Sequence, residues 1–177
     1  WDLHELRRKF GVVPQKAILF TGTIEDNLRW GKENMTSNEI QQALAISQAT
    51  EFIEKLPEGI QTKVERGGQN FSGGQKQRLT IARALAAQPE ILILDDSASA
   101  LDFATDAALR QALQKSCGGM TVILVSQRAS SIKQADKILV FDDGELVGCG
   151  THSQLMDSSD TYREICLSQL SSEEAYA

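Results

Sequence analysis

The chain has 177 residues, 41% of them hydrophobic, enough to bury a real core in one domain. Its net charge of −6 excludes the basic surface that nucleic acid requires, so no nucleic-acid partner is expected. The longest apolar runs, Ile91–Leu94 and Val122–Val125, are too short to span a bilayer, and no N-terminal signal pattern is present. A soluble, cytosol-facing chain is the expectation. Cys117, Cys149 and Cys166 are widely spaced and make no metal or disulfide pattern, so reduced thiols are expected.

The sequence opens at Trp1 without a methionine, and Asp2–Phe10 reads as the middle of an element cut from something longer. Phe10–Val13, stopped by Pro14, reads as a short buried strand. Thr23–Trp30 is expected to be a helical turn, acidic early at Glu25 and Asp26 and basic late at Arg29. Ser37–Ser47 and Thr50–Leu56 predict short helices that face Ile40, Leu44, Phe52 and Ile53 inward. Gly59–Phe71 reads as a loop.

Gly73–Ala87 predicts a strong helix with Leu79, Ala82, Leu85 and Ala86 on one face, stopped before Pro89. Ser72 and Gln75 form an S-x-x-Q capping box at its mouth. Gly73 and Gly74 remove side chains where backbone N–H groups point outward and the helix dipole is positive. That is a terminus suited to phosphate. Taken alone, the same residues also make a well-capped surface helix.

Ile91–Leu94 reads as a buried strand, Phe103–Lys115 as a helix capped by Asp102, and Thr121–Val125 as a further buried strand. Lys137–Phe141 and Glu145–Val147 flank Asp142-Asp143-Gly144, a D-G hairpin turn. A last helix begins at Thr151, where Thr151 and Gln154 repeat the capping box, and the tail Ser171–Ala177 is expected to fray. Alternating strands and helices imply an α/β fold with a mostly parallel sheet. Asp95 and Asp96 end the strand Ile91–Leu94, where open α/β sheets bind ligands, which suits Asp95 to Mg²⁺; taken alone, the same residues read equally as a strand followed by a polar turn.

The ordered set of Gln15, Phe71-Ser72-Gly73-Gly74-Gln75, Ile91–Asp96, Ser99–Asp102 and the strand ending at Ser126-Gln127 resembles the nucleotide-binding (ATPase) domain of an ABC transporter. The stretch Gly11–Gly31 is similar to the exporter branch. The resemblance implies a P-loop NTPase-like fold with a helical signature subdomain at about 32–88, a core at 1–31 and 89–150, and a C-terminal helical region at 151–177. It implies ATP and Mg²⁺ as cofactors. Gln15 becomes the Q-loop glutamine, touching the metal and the attacking water, and Asp95 the Walker B metal ligand. Asp96 and Gln127 take the catalytic base and switch positions, with Gln15 the remaining catalytic candidate. Ser72, Gly73, Gly74 and Gln75 become nucleotide contacts, joined by the D-loop residues Ser99 and Asp102 at a dimer interface. Thr62–Gly68 becomes the X-loop near the partner's membrane-facing helices. Partners would be a second nucleotide-binding domain and the transmembrane domains, at the cytoplasmic face of the membrane.

Taken singly, Gln15 is a surface residue after a proline and Asp102 a helix cap. His152 is a local structural residue, and His4 has no supporting context.

The departures from the family pattern are informative. There is no Walker A: the only Gly-Lys is Gly31-Lys32, followed by Glu33. The family places that loop upstream of the Q-loop, so an N-terminal cut is the expected reason. Asp96 stands where active members carry glutamate, one methylene longer. Gln127 stands where the family carries histidine, and glutamine cannot bear an imidazolium charge. Together these resemble the degenerate-site half of a heterodimer, offering its signature to the partner's ATP. Alternatives are a homodimeric exporter, a non-transport ABC ATPase, or a regulatory module that never hydrolyses ATP. By itself this segment is expected to bind ATP poorly and to be inactive.

Overall fold

A computed structural model describes residues 2–116 and 118–176. The chain forms two compact units, Trp1–Val125 and Ser126–Ala177.

In the first unit, α1 (Leu3–Arg8) is capped by Asp2, whose carboxylate accepts from the His4 and Glu5 amides. It leads into β1 (Phe10–Val13). A two-residue strand β2 (Gly22–Thr23) pairs antiparallel with β3 (Lys63–Val64), inside the stretch expected to be a plain loop. Short 3₁₀ turns at Gly59–Gln61 and Arg66–Gly68 flank β3. The helices are α2 (Ile24–Arg29), α3 (Ser37–Ile46), α4 (Thr50–Glu54), α5 (Gly73–Ala86) and α6 (Phe103–Ser116). Capping boxes at Thr23/Asp26 and Thr36/Glu39 begin α2 and α3, each satisfying amides that a helix end leaves orphaned.

The sheet runs β1-β4-β5 and is parallel throughout, with β4 at Ile91–Asp95 and β5 at Thr121–Val125. The α/β architecture with a parallel sheet is as expected. Helix α5 packs on α2, α3 and β1, and buries Leu79, Ile81, Ala82 and Leu85. Ile40, Leu44, Phe52 and Ile53 face the same core, as their spacing implies. Burying each such Leu, Ile or Phe side chain contributes roughly 1.5–3 kcal/mol.

The expectation that β5 is buried is wrong. Val122, Ile123 and Val125 are 40%, 47% and 51% exposed. The cause is topological: β4 takes the centre of the sheet and β5 pairs only with β4 among the described residues. An unbroken apolar run records burial potential, not the position of a strand in its sheet.

In the second unit, α7 (Ala129–Ile132) precedes the hairpin of β6 (Ile138–Asp142) and β7 (Glu145–Gly150). Asp143 and Gly144 both take positive φ, 45° and 84°, as a tight D-G turn demands. The expected last helix is instead a series: α8 (His152–Ser158), α9 (Asp160–Gln169) and α10 (Ser172–Tyr176). The tail does not fray within the described residues. Ser171 caps α10 through Glu174, and Ala175 is fully buried. His152 bridges the Tyr162 hydroxyl at 2.8 Å and the Ala175 carbonyl at 2.9 Å, the structural role expected of it. The carbonyl can only accept, so Nε2 carries a proton; in the neutral imidazole Nδ1 then accepts from the Tyr162 hydroxyl.

Cys149 and Cys166 are free thiols, as expected; Cys117 lies outside the described residues. No described helix is long and apolar enough to cross a membrane.

Candidate functional site

The parallel register carries the site. Val13 on β1 sits opposite Leu94 on β4, so the chain beyond each strand emerges on the same side of the sheet. Gln15 and Asp96 each lie two residues further on, and they meet: Gln15 Nε2 donates to Asp96 Oδ2 at 3.1 Å. A carboxylate only accepts, which settles the orientation of the glutamine amide. Asp95, the last residue of β4, is exposed at that strand end.

Asp96 is a junction. Its φ of 44° is left-handed, a conformation that aspartate tolerates better than most residues. Its N–H donates to the Val125 carbonyl at 2.9 Å, and its own carbonyl accepts from the Ser99 hydroxyl at 2.8 Å. The segments carrying Gln15, Asp96 and Ser99 are therefore hydrogen-bonded to one another. Backbone strain of this kind persists only where surrounding bonds over-determine it.

The mouth of α5 is built as its motif implies. The Gln75 amide donates to Ser72 Oγ at 3.3 Å, and the Ser72 amide donates to Gln75 Oε1 at 2.9 Å. The glycines differ in a way that spacing does not show. A Cβ on Gly74 would lie 3.3 Å from the Ala100 carbonyl, so Gly74 makes room for the Ser99–Asp102 segment. A Cβ on Gly73 would meet nothing within 4 Å. Gly73 is thus bare for no reason within the described chain, and the space beside it is open to an external group.

Asp102 caps α6, accepting from the Thr105 amide at 2.9 Å and its hydroxyl at 2.8 Å. The Thr105 amide, then its hydroxyl, holds the Asp102 carboxyl below the usual carboxylate range. Gln127 belongs to the second unit, in the bend between Val125 and α7. Its side chain is exposed, and its carbonyl accepts from Gln169 Nε2 at 2.8 Å.

Among the described residues no group of three or more His, Cys, Asp or Glu could hold a metal ion. Asp95 ends β4 and Gln15 follows β1, so each brings a side-chain oxygen to the same end of the sheet. That sparse oxygen set fits Mg²⁺, which keeps waters and substrate phosphates as its remaining ligands.

Sequence reasoning missed an aromatic stack in the first unit. Phe20 and Trp30 stack with ring centroids 4.5 Å apart, and the Arg83 guanidinium covers the Phe20 ring at 4.8 Å. Arg83 also donates to the Ile18 carbonyl at 2.9 Å, and burial lowers its pKa from the ordinary value. Trp30 remains 70% exposed. An exposed tryptophan ten residues from a phenylalanine carries no periodic signal, so only the fold reveals the pair.

A family model described as ABC transporter matches residues 1–99. The uncharacterized ABC transporter ATP-binding protein YfiB of Bacillus subtilis (strain 168) is 48% identical over 168 residues, spanning 95% of this chain and 29% of that protein. ABC transporter B family member 21 of Arabidopsis thaliana is 40% identical over 166 residues, spanning 93% of this chain and 13% of that protein. The solved structure of a bacterial Atm1-family ABC exporter with ATP bound matches with a TM-score of 0.89 at 35% identity, over 93% of this chain and 29% of that one. The chain therefore spans less than a third of the length of these relatives. With β1, β4 and β5 in a parallel sheet and α5 opening on Ser72-Gly73-Gly74-Gln75, the chain belongs to the ABC transporter family, as a segment of an exporter nucleotide-binding domain with the P-loop NTPase-like α/β fold.

Proposed function

We propose that this chain works in an ATP-hydrolysing exporter at the cytoplasmic face of a membrane, offering its signature helix to an ATP held by a second nucleotide-binding domain. Its own Walker B side turns ATP over slowly. The second domain is a different polypeptide, so the pair is a heterodimer with one degenerate site. The observation that carries this reading is the hydrogen bond from Gln15 to Asp96. A base must lie within hydrogen-bond reach of the proton it removes. Asp96 is a methylene short of the glutamate expected there, and one of its oxygens already accepts from Gln15.

Residues 32–88 act as the signature subdomain, 1–31 and 89–150 as the core, and 151–177 as a C-terminal helical region. Asp95 and the Gln15 oxygen would hold Mg²⁺, which when bound neutralises phosphate charge. Gln127 would hydrogen-bond the terminal phosphate without adding positive charge. Ser72 and the Gly74 amide would meet the partner's nucleotide beside the open Cβ side of Gly73, with Gln75 holding Ser72 in place and Ser99 and Asp102 at the domain interface. The exposed Trp30, stacked on Phe20, suits contact with the transmembrane domains, since tryptophan combines a large apolar face with a polar N–H and is favoured at interfaces.

The test compares Ser72→Arg with Asp96→Asn in the full transporter carrying its partner. Ser72→Arg is expected to abolish ATPase activity and Asp96→Asn to reduce it modestly. If Asp96→Asn abolishes activity while Ser72→Arg leaves it intact, the roles are reversed.

A further inference from the structure

We infer that Gln169, at the end of α9, is the positioning residue for the Gln127 loop, and so sets where the switch-position side chain sits. The inference rests on the proposed role of Gln127. Its observations are independent of that role and lie wholly within the second unit.

Helix α7 begins without a side-chain cap of its own: Arg128 occupies the N-cap position and makes no capping bond. Arginine carries only donors, so it has nothing to offer the exposed amides of a helix start. The missing acceptor comes from far along the chain. Gln169 Oε1 accepts from the Ala129 amide at 2.9 Å, 40 residues away. The other end of the same amide, Nε2, donates to the Gln127 carbonyl at 2.8 Å. A side-chain amide presents a donor and an acceptor together, and here each is used on the loop.

Both sides of this clasp are anchored. Ala129 is fully buried in the core that also holds Tyr162 and Cys166 of α9. Tyr162 is tied to His152, and His152 to the Ala175 carbonyl of α10. Position 127 therefore has a pinned backbone and an exposed side chain, the combination that presents a polar group outward from a fixed point. Misplacement of a reacting contact by roughly 1 Å costs on the order of 10²-fold in rate.

The experiment uses the full transporter with Gln169→Ala, Gln169→Glu and Gln127→Ala, read by ATPase kinetics, melting and amide exchange at Ala129. Gln169→Ala is expected to speed exchange at Ala129 and to lower kcat to the same modest extent as Asp96→Asn, while leaving KM unchanged. Gln169→Glu keeps the acceptor for Ala129 but cannot donate to Gln127, so exchange stays slow while kcat falls. Unchanged kcat in both Gln169 variants, with Gln127→Ala impaired, overturns the inference. A fall in kcat that tracks only loss of melting temperature overturns it too. If Gln127→Ala itself keeps full kcat, the switch reading fails, while slow Ala129 exchange still reports the clasp.

Discussion

Gln15 and Asp96, 81 residues apart, are joined by a hydrogen bond of 3.1 Å between the ends of adjacent parallel strands. The same aspartate is bonded through its backbone to Val125 and Ser99. One residue thus links the end of β5, the segment after β1 and the segment before α6. Its reach and its conformation both bear on rate.

Lengthening that side chain separates the two effects. Asp96→Glu in the full transporter is expected to raise turnover at this chain's own site by about tenfold or more, and the total rate by less, because the carboxylate gains the reach a base needs. The same change should lower the melting temperature slightly, since glutamate accommodates a φ of 44° less well than aspartate. Steady-state ATPase assays and calorimetry read both quantities. Turnover that stays flat or falls would assign the slow site to something other than side-chain length.

Ser72 carries a cap and a proposed phosphate contact, and substitution pulls them apart. Ser72→Ala should destabilise the domain by about 1 kcal/mol, the usual cost of losing an N-cap. Ser72→Asp should keep the cap and nearly all the stability, because aspartate caps as well as serine. It should nevertheless abolish ATP-driven association of the domains, since its carboxylate would face a phosphate. Denaturant titration and analytical ultracentrifugation with ATP measure the contrast. Normal association of the aspartate variant would remove Ser72 from the nucleotide contact.

The glycines after Ser72 should also part company. Gly73→Ala meets no neighbour and gains helix propensity, so its melting temperature should hold or rise while ATPase activity is lost. Gly74→Ala pushes on the Ala100 carbonyl at 3.3 Å, and the Ser99–Asp102 segment must move by a few tenths of an ångström. Full activity in Gly73→Ala would mean that the open space is not used.

Glu39 offers a test in pH. Lys32, 2.6 Å away, and then the Thr36 amide hold its carboxyl down to about 2 from an ordinary 4.5. A depressed carboxylate contributes its full stability above the unfolded value and loses it as pH falls through the folded one. Glu39→Gln keeps one oxygen able to complete the capping box and removes the charge together with the acceptor that faces Lys32. Its urea midpoint should lie below that of the natural chain at pH 7, with the gap closing between about 4.5 and about 2. An equal gap at pH 7 and pH 2 would show that the charge is not the cause.

Much of the local architecture was legible because its partners are close in sequence. Ser72 with Gln75, Thr151 with Gln154, and Asp102 with Thr105 sit three residues apart, a spacing that reaches across one helical turn. The Asp143-Gly144 turn follows from backbone sterics alone. The motif order pointed to the ABC transporter family for the same reason: short words in a fixed sequence need no coordinates.

Long-range relationships were not legible in that way. The exposure of β5, the packing of α10 and the stack of Phe20 on Trp30 depend on which elements become neighbours. So do the differing surroundings of Gly73 and Gly74. The sequence by itself determined the helix caps, the hairpin turn, the α/β class and the family. Only the tertiary structure decided that Gln15 meets Asp96 and that Gln169 clasps the Gln127 loop. The physical reason is register: Val13 pairs with Leu94 only once β1 and β4 lie side by side, and the bond beyond them exists only in that pairing.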